Sequence, residues 1–152
     1  MTAKVNEQLS KKPNLDIKTT IAGLEKTLDM ACDIGVLSPQ VFLESYQPLR
    51  MPDYSRKQIE KIVEKHKPPV LCGMVVTSLH VITQFTNQEQ PIDLKPHDIT
   101  LLLNYIFANS QLKTNETWTP LCIPGITEEA LLYVYISFYK QNIGIVMISS
   151  EH

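Results

Sequence analysis

Glycine is scarce in this chain, five residues in 152, and no two of them take the spacing of a phosphate-binding loop. Dinucleotide and P-loop sites need glycine where the backbone must approach a phosphate, so neither is expected. Cysteine is equally thin: Cys32, Cys72 and Cys122 are odd in number, far apart and set among apolar residues, with no Cys-x-x-Cys pair. This pattern predicts buried, reduced thiols in a cytosolic protein and argues against a disulfide framework. The four histidines, His66, His80, His97 and His152, form no ligand-spaced set, which argues against a zinc site. No apolar run approaches the ~20 residues that a membrane span requires, and the polar start MTAKVNEQLSKKPN does not read as a signal peptide. An excess of charge of one sign is missing too: 14 Lys and Arg against 16 Asp and Glu give a formal net charge of -2. That leaves no global attraction to nucleic acid or to anionic lipid, while a local basic patch stays open.

What is present suits an ordinary globular protein. The 43% hydrophobic and 20% charged residues of a 152-residue chain fit one domain with a core, plus one extra element. Residues 1–13 read as a solvated lead-in. Asn14 is placed to cap a helix in which Leu15, Ile17, Ile21, Leu24, Leu28 and Ala31 recur at helical spacing to about Ile34, with Gly35 and Ser38-Pro39 ending it. Residues 41–50 read as an extended strand closed by Pro48 and Pro52, with a helix as the weaker alternative. Ser55 is a candidate cap for a short amphipathic helix carrying Ile59, Ile62 and Val63 and stopped by Pro68-Pro69.

Residues 70–77 and 79–86 are apolar, β-branched runs with a minimal break at Ser78, the pattern of a hairpin. Pro96 suits the first turn of a helix and Asp98 its positive end, and Ile99, Leu101, Leu102, Leu103, Tyr105, Ile106 and Phe107 carry that helix to about Ser110. Its apolar character runs nearly all round, which predicts heavy burial. Three more strands are predicted over 117–123, 131–139 and 143–150, punctuated by Pro124-Gly125 and Gln141-Asn142. The predicted core order is β-β-α-β-β-β, an α/β (α+β) module preceded by helices.

The strand beginning at Leu131 is apolar on both faces. One face carries Leu131, Tyr133, Tyr135 and Tyr139, and the other Leu132, Val134, Ile136 and Phe138. The last strand repeats this, with Ile143, Ile145 and Met147 opposed to Val146 and Ile148. A sheet apolar on both sides needs cover on both sides. The helix around Leu102 covers one; the N-terminal helices, further sequence or a partner must cover the other. Tyr133, Tyr135 and Tyr139 are therefore the candidate partner interface, while Trp118 reads as core packing ahead of an interface anchor.

Candidates for chemistry are few. Ser78 and His80 sit at a hairpin turn and read as a turn serine and an exposed strand histidine, not as a nucleophile elbow. Glu128-Glu129 reads as a solvated turn, not as a general acid–base pair. Arg50, Arg56, Lys57, Lys61, Lys65 and Lys67 form a basic segment interrupted by Glu60 and Glu64. Its plain reading is a solvated helix face with local ion pairs; the sharper one has Lys57 and Lys61, which share a face, touching an anionic membrane surface or an acidic partner. No catalytic residue, cofactor or metal is assigned, and the chain is expected not to be an enzyme.

Several collinear blocks resemble the monensin-sensitivity (SAND-type) vacuolar fusion proteins. Pro13-Asn14-Leu15-Asp16-Ile17 with Gly23-Leu24-Glu25 is similar to that family's "PNFDLR…GTE" segment. Phe42-Leu43 with Pro48-Leu49, and the run from Leu94 to Asn104, resemble its "FL…LPL" and "LHPxDLxLLLN" blocks. Trp118-Thr119-Pro120-Leu121-Cys122-Ile123-Pro124 is similar to its "WTPxCLP". The likeness spans about residues 13–150, and Ile123-Pro124-Gly125-Ile126 departs from the family's "LPRFN"-like turn.

The resemblance implies a subunit of a heterodimeric guanine-nucleotide exchange factor for a late-endosomal or vacuolar Rab GTPase. Such proteins carry three longin domains, the first of which, with that of the partner subunit, opens the nucleotide site. Residues 1–40 then correspond to a helical lead-in from the preceding longin domain, and 41–152 to a longin (profilin-like) domain without its last two helices. The implied role is a scaffold or interaction module in vesicle-mediated transport and vacuole or lysosome fusion, cytoplasmic and peripheral on the late-endosomal or vacuolar membrane. The implied partners are a second longin-containing subunit and, indirectly from this region, the Rab, with no nucleic acid. The rival readings are a longin-type trafficking adaptor of another complex and a small-molecule-binding profilin-like domain.

Overall fold

The computed structural model describes Ser10 and residues 25–37, 45–66, 68–88, 91–92, 94–127, 130–139 and 142–150. In chain order these form α1 (Glu25–Leu37), β1 (Gln47–Pro48), α2 (Asp53–His66), β2 (Cys72–Thr77), β3 (His80–Thr86), α3 (Pro96–Ala108), a short 3-10 turn (Ser110–Lys113), β4 (Thr117–Leu121), β5 (Leu132–Tyr139) and β6 (Ile143–Ser149). The strands make one six-stranded sheet in the order β1-β3-β2-β6-β5-β4. Only the β1–β3 pairing is parallel; the others are antiparallel. The predicted β-β-α-β-β-β order is therefore the observed one from β2 onward.

Alternation builds the core. Met74 and Val76 of β2, Val134 and Ile136 of β5, and Val146 and Ile148 of β6 are fully buried on one sheet face. Ile99, Leu102, Leu103 and Ile106 of α3 pack into the same cluster. Each such side chain contributes about 1.5–3 kcal/mol by leaving water, so this single layer of contacts dominates the stability of the domain. Gly144 belongs to it for a steric reason: a Cβ there would lie 2.7 Å from the Phe138 ring. That ring meets Phe107 of α3 edge-on, with centroids 5.7 Å apart.

Helix α3 opens on Pro96, which has no N–H to leave unpaired in the first turn, and closes where Asn109 Nδ2 donates to the Tyr105 carbonyl at 2.7 Å. It is not buried all round, as its composition suggests. Leu101 is 52% exposed, because the sheet meets α3 on one side only, while α1 packs against another part of it. The β2–β3 hairpin forms as expected, but its break takes in Leu79 as well as Ser78, with Ser78 at φ 42° and Leu79 at φ 68°. Both are left-handed, the backbone that matches the twist of the flanking strands.

Other boundaries differ from expectation. Gly35 lies inside α1, which runs to Leu37; a lone glycine weakens a helix without ending it. The proposed cap at Asn14 lies outside the described residues. The strand expected over 41–50 is reduced to Gln47–Pro48, with 41–44 outside the described residues. Ser55 does not cap α2, which starts at Asp53; the Pro52 carbonyl accepts the Arg56 N–H at 3.2 Å. Strand β4 stops at Leu121 because Ile123 turns into the core, its carbonyl taking hydrogen bonds from Ile126 and Thr127 at 3.0 Å. Of the three thiols expected to be buried, only Cys72 is; Cys32 and Cys122 are free and exposed.

Candidate partner interface

The second face of the sheet has a regular construction. Register places Trp118 opposite Tyr135, Tyr135 opposite Met147, Met147 opposite Gly73, and Gly73 opposite Phe85, one row crossing five strands. The next row runs from Ser137 through Ile145 and Val75 to Thr83, and a third pairs Tyr139 with Ile143. Tyr133 flanks the first row between Pro120 and Ser149.

The two ends of this face differ. Toward β2 and β3 it closes on itself: Phe85 lies over Gly73, where a Cβ would come within 2.4 Å of the ring, and Val75 and Thr83 are buried. Toward β4, β5 and β6 it is open to solvent. Trp118 is 40% exposed, Ile145 44%, Ile143 47% and Tyr139 68%. Trp118 is thus not a core residue. Its ring packs on Tyr135 with centroids 5.1 Å apart and planes tilted by 52°, an amphipathic pair that lies outside the α3 side of the sheet. Of the tyrosines singled out from sequence, Tyr133 and Tyr135 are half-buried and Tyr139 exposed. The structure joins all three, with Trp118, Ile143, Ile145 and Met147, into one contiguous apolar surface. Sequence alternation identified the face; the place of Trp118 on it depended on the register of β4, which alternation does not encode.

This surface carries aromatic and aliphatic side chains without a converging set of ionisable groups. Such a composition suits burial against another macromolecule better than bond-making chemistry. Elsewhere, His80 Nδ1 lies 2.8 Å from the Ser78 backbone carbonyl, so the histidine addresses the turn rather than the serine hydroxyl. Glu128 and Glu129 lie outside the described residues. A shallow hollow of about 120 Å³ is lined by Cys72, Gly73, Gln84, Phe85, Thr86, Ile92 and Leu94. Burial pushes the Cys72 thiol up to about 12, which leaves it a protonated, apolar wall and not a nucleophile. Among the described residues no group of three His, Cys, Asp or Glu side chains is placed to hold a metal, and no helix is long and apolar enough to cross a membrane. Lys57 and Lys61, the other pair singled out, lie exposed on α2, a helix with no buried residue.

The arrangement matches known proteins. A family described as the second longin domain of FUZ, MON1 and HPS1 matches residues 68–152. Vacuolar fusion protein MON1 of Cryptococcus neoformans is 28% identical over 146 residues, covering 93% of this chain and 23% of that protein. The protein of the same name from Yarrowia lipolytica is 23% identical over 150 residues, 97% of this chain and 27% of its own length. The MON1 homolog of Oryza sativa is 23% identical over 151 residues, 99% of this chain and 26% of its own. The chain spans about a quarter of the length of these relatives. With the family match covering β2 through β6 and more than half of the sequence, the chain belongs to the family of second longin domains of FUZ, MON1 and HPS1.

Proposed function

We propose that this chain is a scaffold and interaction longin module of a heterodimeric guanine-nucleotide exchange factor for a late-endosomal or vacuolar Rab, acting in vesicle-mediated transport and vacuole or lysosome fusion. The relatives are named for vacuolar fusion, and the family is that of a second longin domain. The observation that carries the reading is the open apolar face from Trp118 to Ile143. On this account it packs against the second longin-containing subunit, and the module contacts the Rab only indirectly. Residues 1–40 belong to the end of the preceding longin domain and 41–152 to this one. The protein is cytoplasmic and peripheral on the late-endosomal or vacuolar membrane.

Exchange requires no covalent step. A partner surface displaces the switch segments of the GTPase and weakens its hold on nucleotide. The module is therefore not an enzyme, and its contribution is mechanical: a stiff sheet that holds its partner in register. The adaptor reading shares the same face and differs only in who occupies it. The small-molecule reading has less support among the described residues, where the hollow beside Cys72 holds about 120 Å³ against the roughly 300–1,000 Å³ of a typical ligand pocket.

The test uses a Rab loaded with fluorescent nucleotide. The chain is expected to leave nucleotide release at background both alone and in complex with the second subunit, because the resemblance assigns exchange to the first longin domain. Tyr135→Asp with Ile145→Asp should abolish assembly of that complex. Acceleration by the chain alone, or assembly untouched by both substitutions, overturns the proposal.

A further inference from the structure

Strand β3 ends on a threonine whose hydroxyl ties separate parts of the fold together. Register pairs Thr86 with Cys72, so both side chains lie on the α3 face of the sheet. Thr86 is exposed there and Cys72 buried. Thr86 Oγ1 accepts the Ile92 N–H at 3.1 Å. Its single proton is within reach of two carbonyls, that of Ile92 at 3.3 Å and that of Leu71 at 3.4 Å. Leu71 in turn joins the ends of β6 and β3: its N–H donates to the Ile148 carbonyl at 2.9 Å, and its carbonyl accepts the Asn87 N–H at 2.9 Å. Ile92 packs against the core, and with Leu94 it walls the hollow beside Cys72. One exposed hydroxyl thus fixes the residues that cover a buried thiol.

The sequence that follows is Asn87-Gln88-Glu89, and no other serine or threonine of the chain has an acidic residue three positions on. The same spacing marks a capping box where a helix starts at the threonine. Thr86 instead closes a strand, and among the described residues the next helix begins at Pro96. We propose that Thr86 is a phosphorylation site for an acidophilic protein kinase, and that its phosphate parts Thr86 from Leu71 and Ile92. Thr86 Oγ1 attacks the γ-phosphorus of ATP, and the hydroxyl proton passes to a carboxylate of the kinase. The Oγ1–phosphorus bond forms as the bond from that phosphorus to the β,γ-bridging oxygen breaks, and ADP leaves. Thr86 is the last residue of its strand, and β1 flanks β3 only at His80 and Val81. Its uptake therefore frees the Thr86–Cys72 pair and spares the rest of the sheet. The product has lost the proton that the carbonyls shared, and a charge of roughly -1.5 to -2 now faces them. The inference is independent of the exchange-factor reading, since Thr86 lies on the α3 side and not on the open apolar face.

Casein kinase II, which selects an acidic residue at this spacing, tests the proposal on the whole chain with ATP and magnesium. Mass spectrometry of proteolytic peptides is expected to find phosphate on Thr86. Glu89→Gln should slow its entry about tenfold or more by removing the charge that the kinase contacts. In a chain carrying Cys32→Ser and Cys122→Ser, both exposed positions, Cys72 is the one thiol left. Phosphorylation should raise its rate of labelling by a maleimide about tenfold or more, because local opening then replaces global unfolding as the route to it. Thr86→Val, which loses the hydroxyl and gains no charge, should keep Cys72 protected, and an unchanged circular dichroism spectrum shows that each variant is folded. Absence of phosphate from Thr86, or entry at the same rate in Glu89→Gln, overturns the proposal. So does a phosphorylated chain whose Cys72 is labelled no faster than before, or a Thr86→Val chain labelled as fast as the phosphorylated one.

Discussion

The Asp98 carboxylate accepts a hydrogen bond from the Gly125 backbone N–H at 3.3 Å, joining the first turn of α3 to the turn after β4. Asp98 is only 1% exposed, with His97 Nε2 3.5 Å from the same oxygen. Its second oxygen, Oδ2, is buried without a hydrogen-bond partner and stands 1.7 Å from where a Gly125 Cβ would be. Glycine is required here for space. Gly125→Ala should destabilise the domain by at least about 2 kcal/mol, since either the turn or the carboxylate must move. Asp98→Ala should cost about 1–3 kcal/mol, and Asp98→Asn less, because it keeps the acceptor. Urea titration of the variants checks the order.

The two faces of the sheet should respond differently to truncation. Ile136, fully buried against α3, should lose about 3 kcal/mol on mutation to Ala, as removal leaves a cavity that the core cannot refill. Ile145, 44% exposed on the other face, should lose under about 1 kcal/mol when changed to Ser. Tyr135→Ser should cost about 1 kcal/mol, mainly through its lost contact with Trp118. Similar losses at Ile136 and Ile145 in thermal unfolding would mean that the second face is already covered.

Ser78 holds a left-handed backbone at φ 42° without being glycine, asparagine or aspartate. Ser78→Asn should stabilise the hairpin by about 0.5 kcal/mol, because asparagine takes this conformation more readily. The neighbouring Leu79 is left alone since it packs against the core. An unchanged unfolding midpoint for Ser78→Asn would argue that the turn relaxes.

Burial raises the Cys72 thiol from its ordinary value of 9.0 to about 12. The folded state then keeps a proton that the unfolded chain releases above pH 9, so the stability tied to this group is whole below pH 9 and lost as pH rises toward 12. Between pH 8 and pH 10 the loss should be about 1.4 kcal/mol, and Cys72→Ala should remove that part of the alkaline decline. At neutral pH, thiol reagents should label Cys32 and Cys122, both exposed, and reach Cys72 only on unfolding.

Apolar, β-branched runs bounded by turn residues made β2 and β3 legible, and period-two alternation separated the two faces of β5 and β6, because side-chain direction along a strand leaves that trace directly in the residue order. Helix α3 was legible from Pro96 and its apolar run. What was not legible depends on distant contacts. Trp118 sits outside because β4 pairs with β5 in one register, and Asp98 is buried because a turn 27 residues later closes over it. Cys32 and Cys122 have apolar neighbours in sequence and are nevertheless exposed. The start of α2 at Asp53 escaped because Pro52 supplies its first carbonyl, a role that does not require a capping side chain.

Trp118 is the only tryptophan of the chain, and it is 40% exposed on the edge strand of the proposed interface. Its emission therefore reports on that surface alone when the second longin-containing subunit is replaced by a tryptophan-free version. On forming the complex, the account predicts a shift of Trp118 emission to shorter wavelength and protection from acrylamide quenching. A complex that assembles by size-exclusion chromatography while Trp118 emission and quenching stay those of the free chain would contradict it.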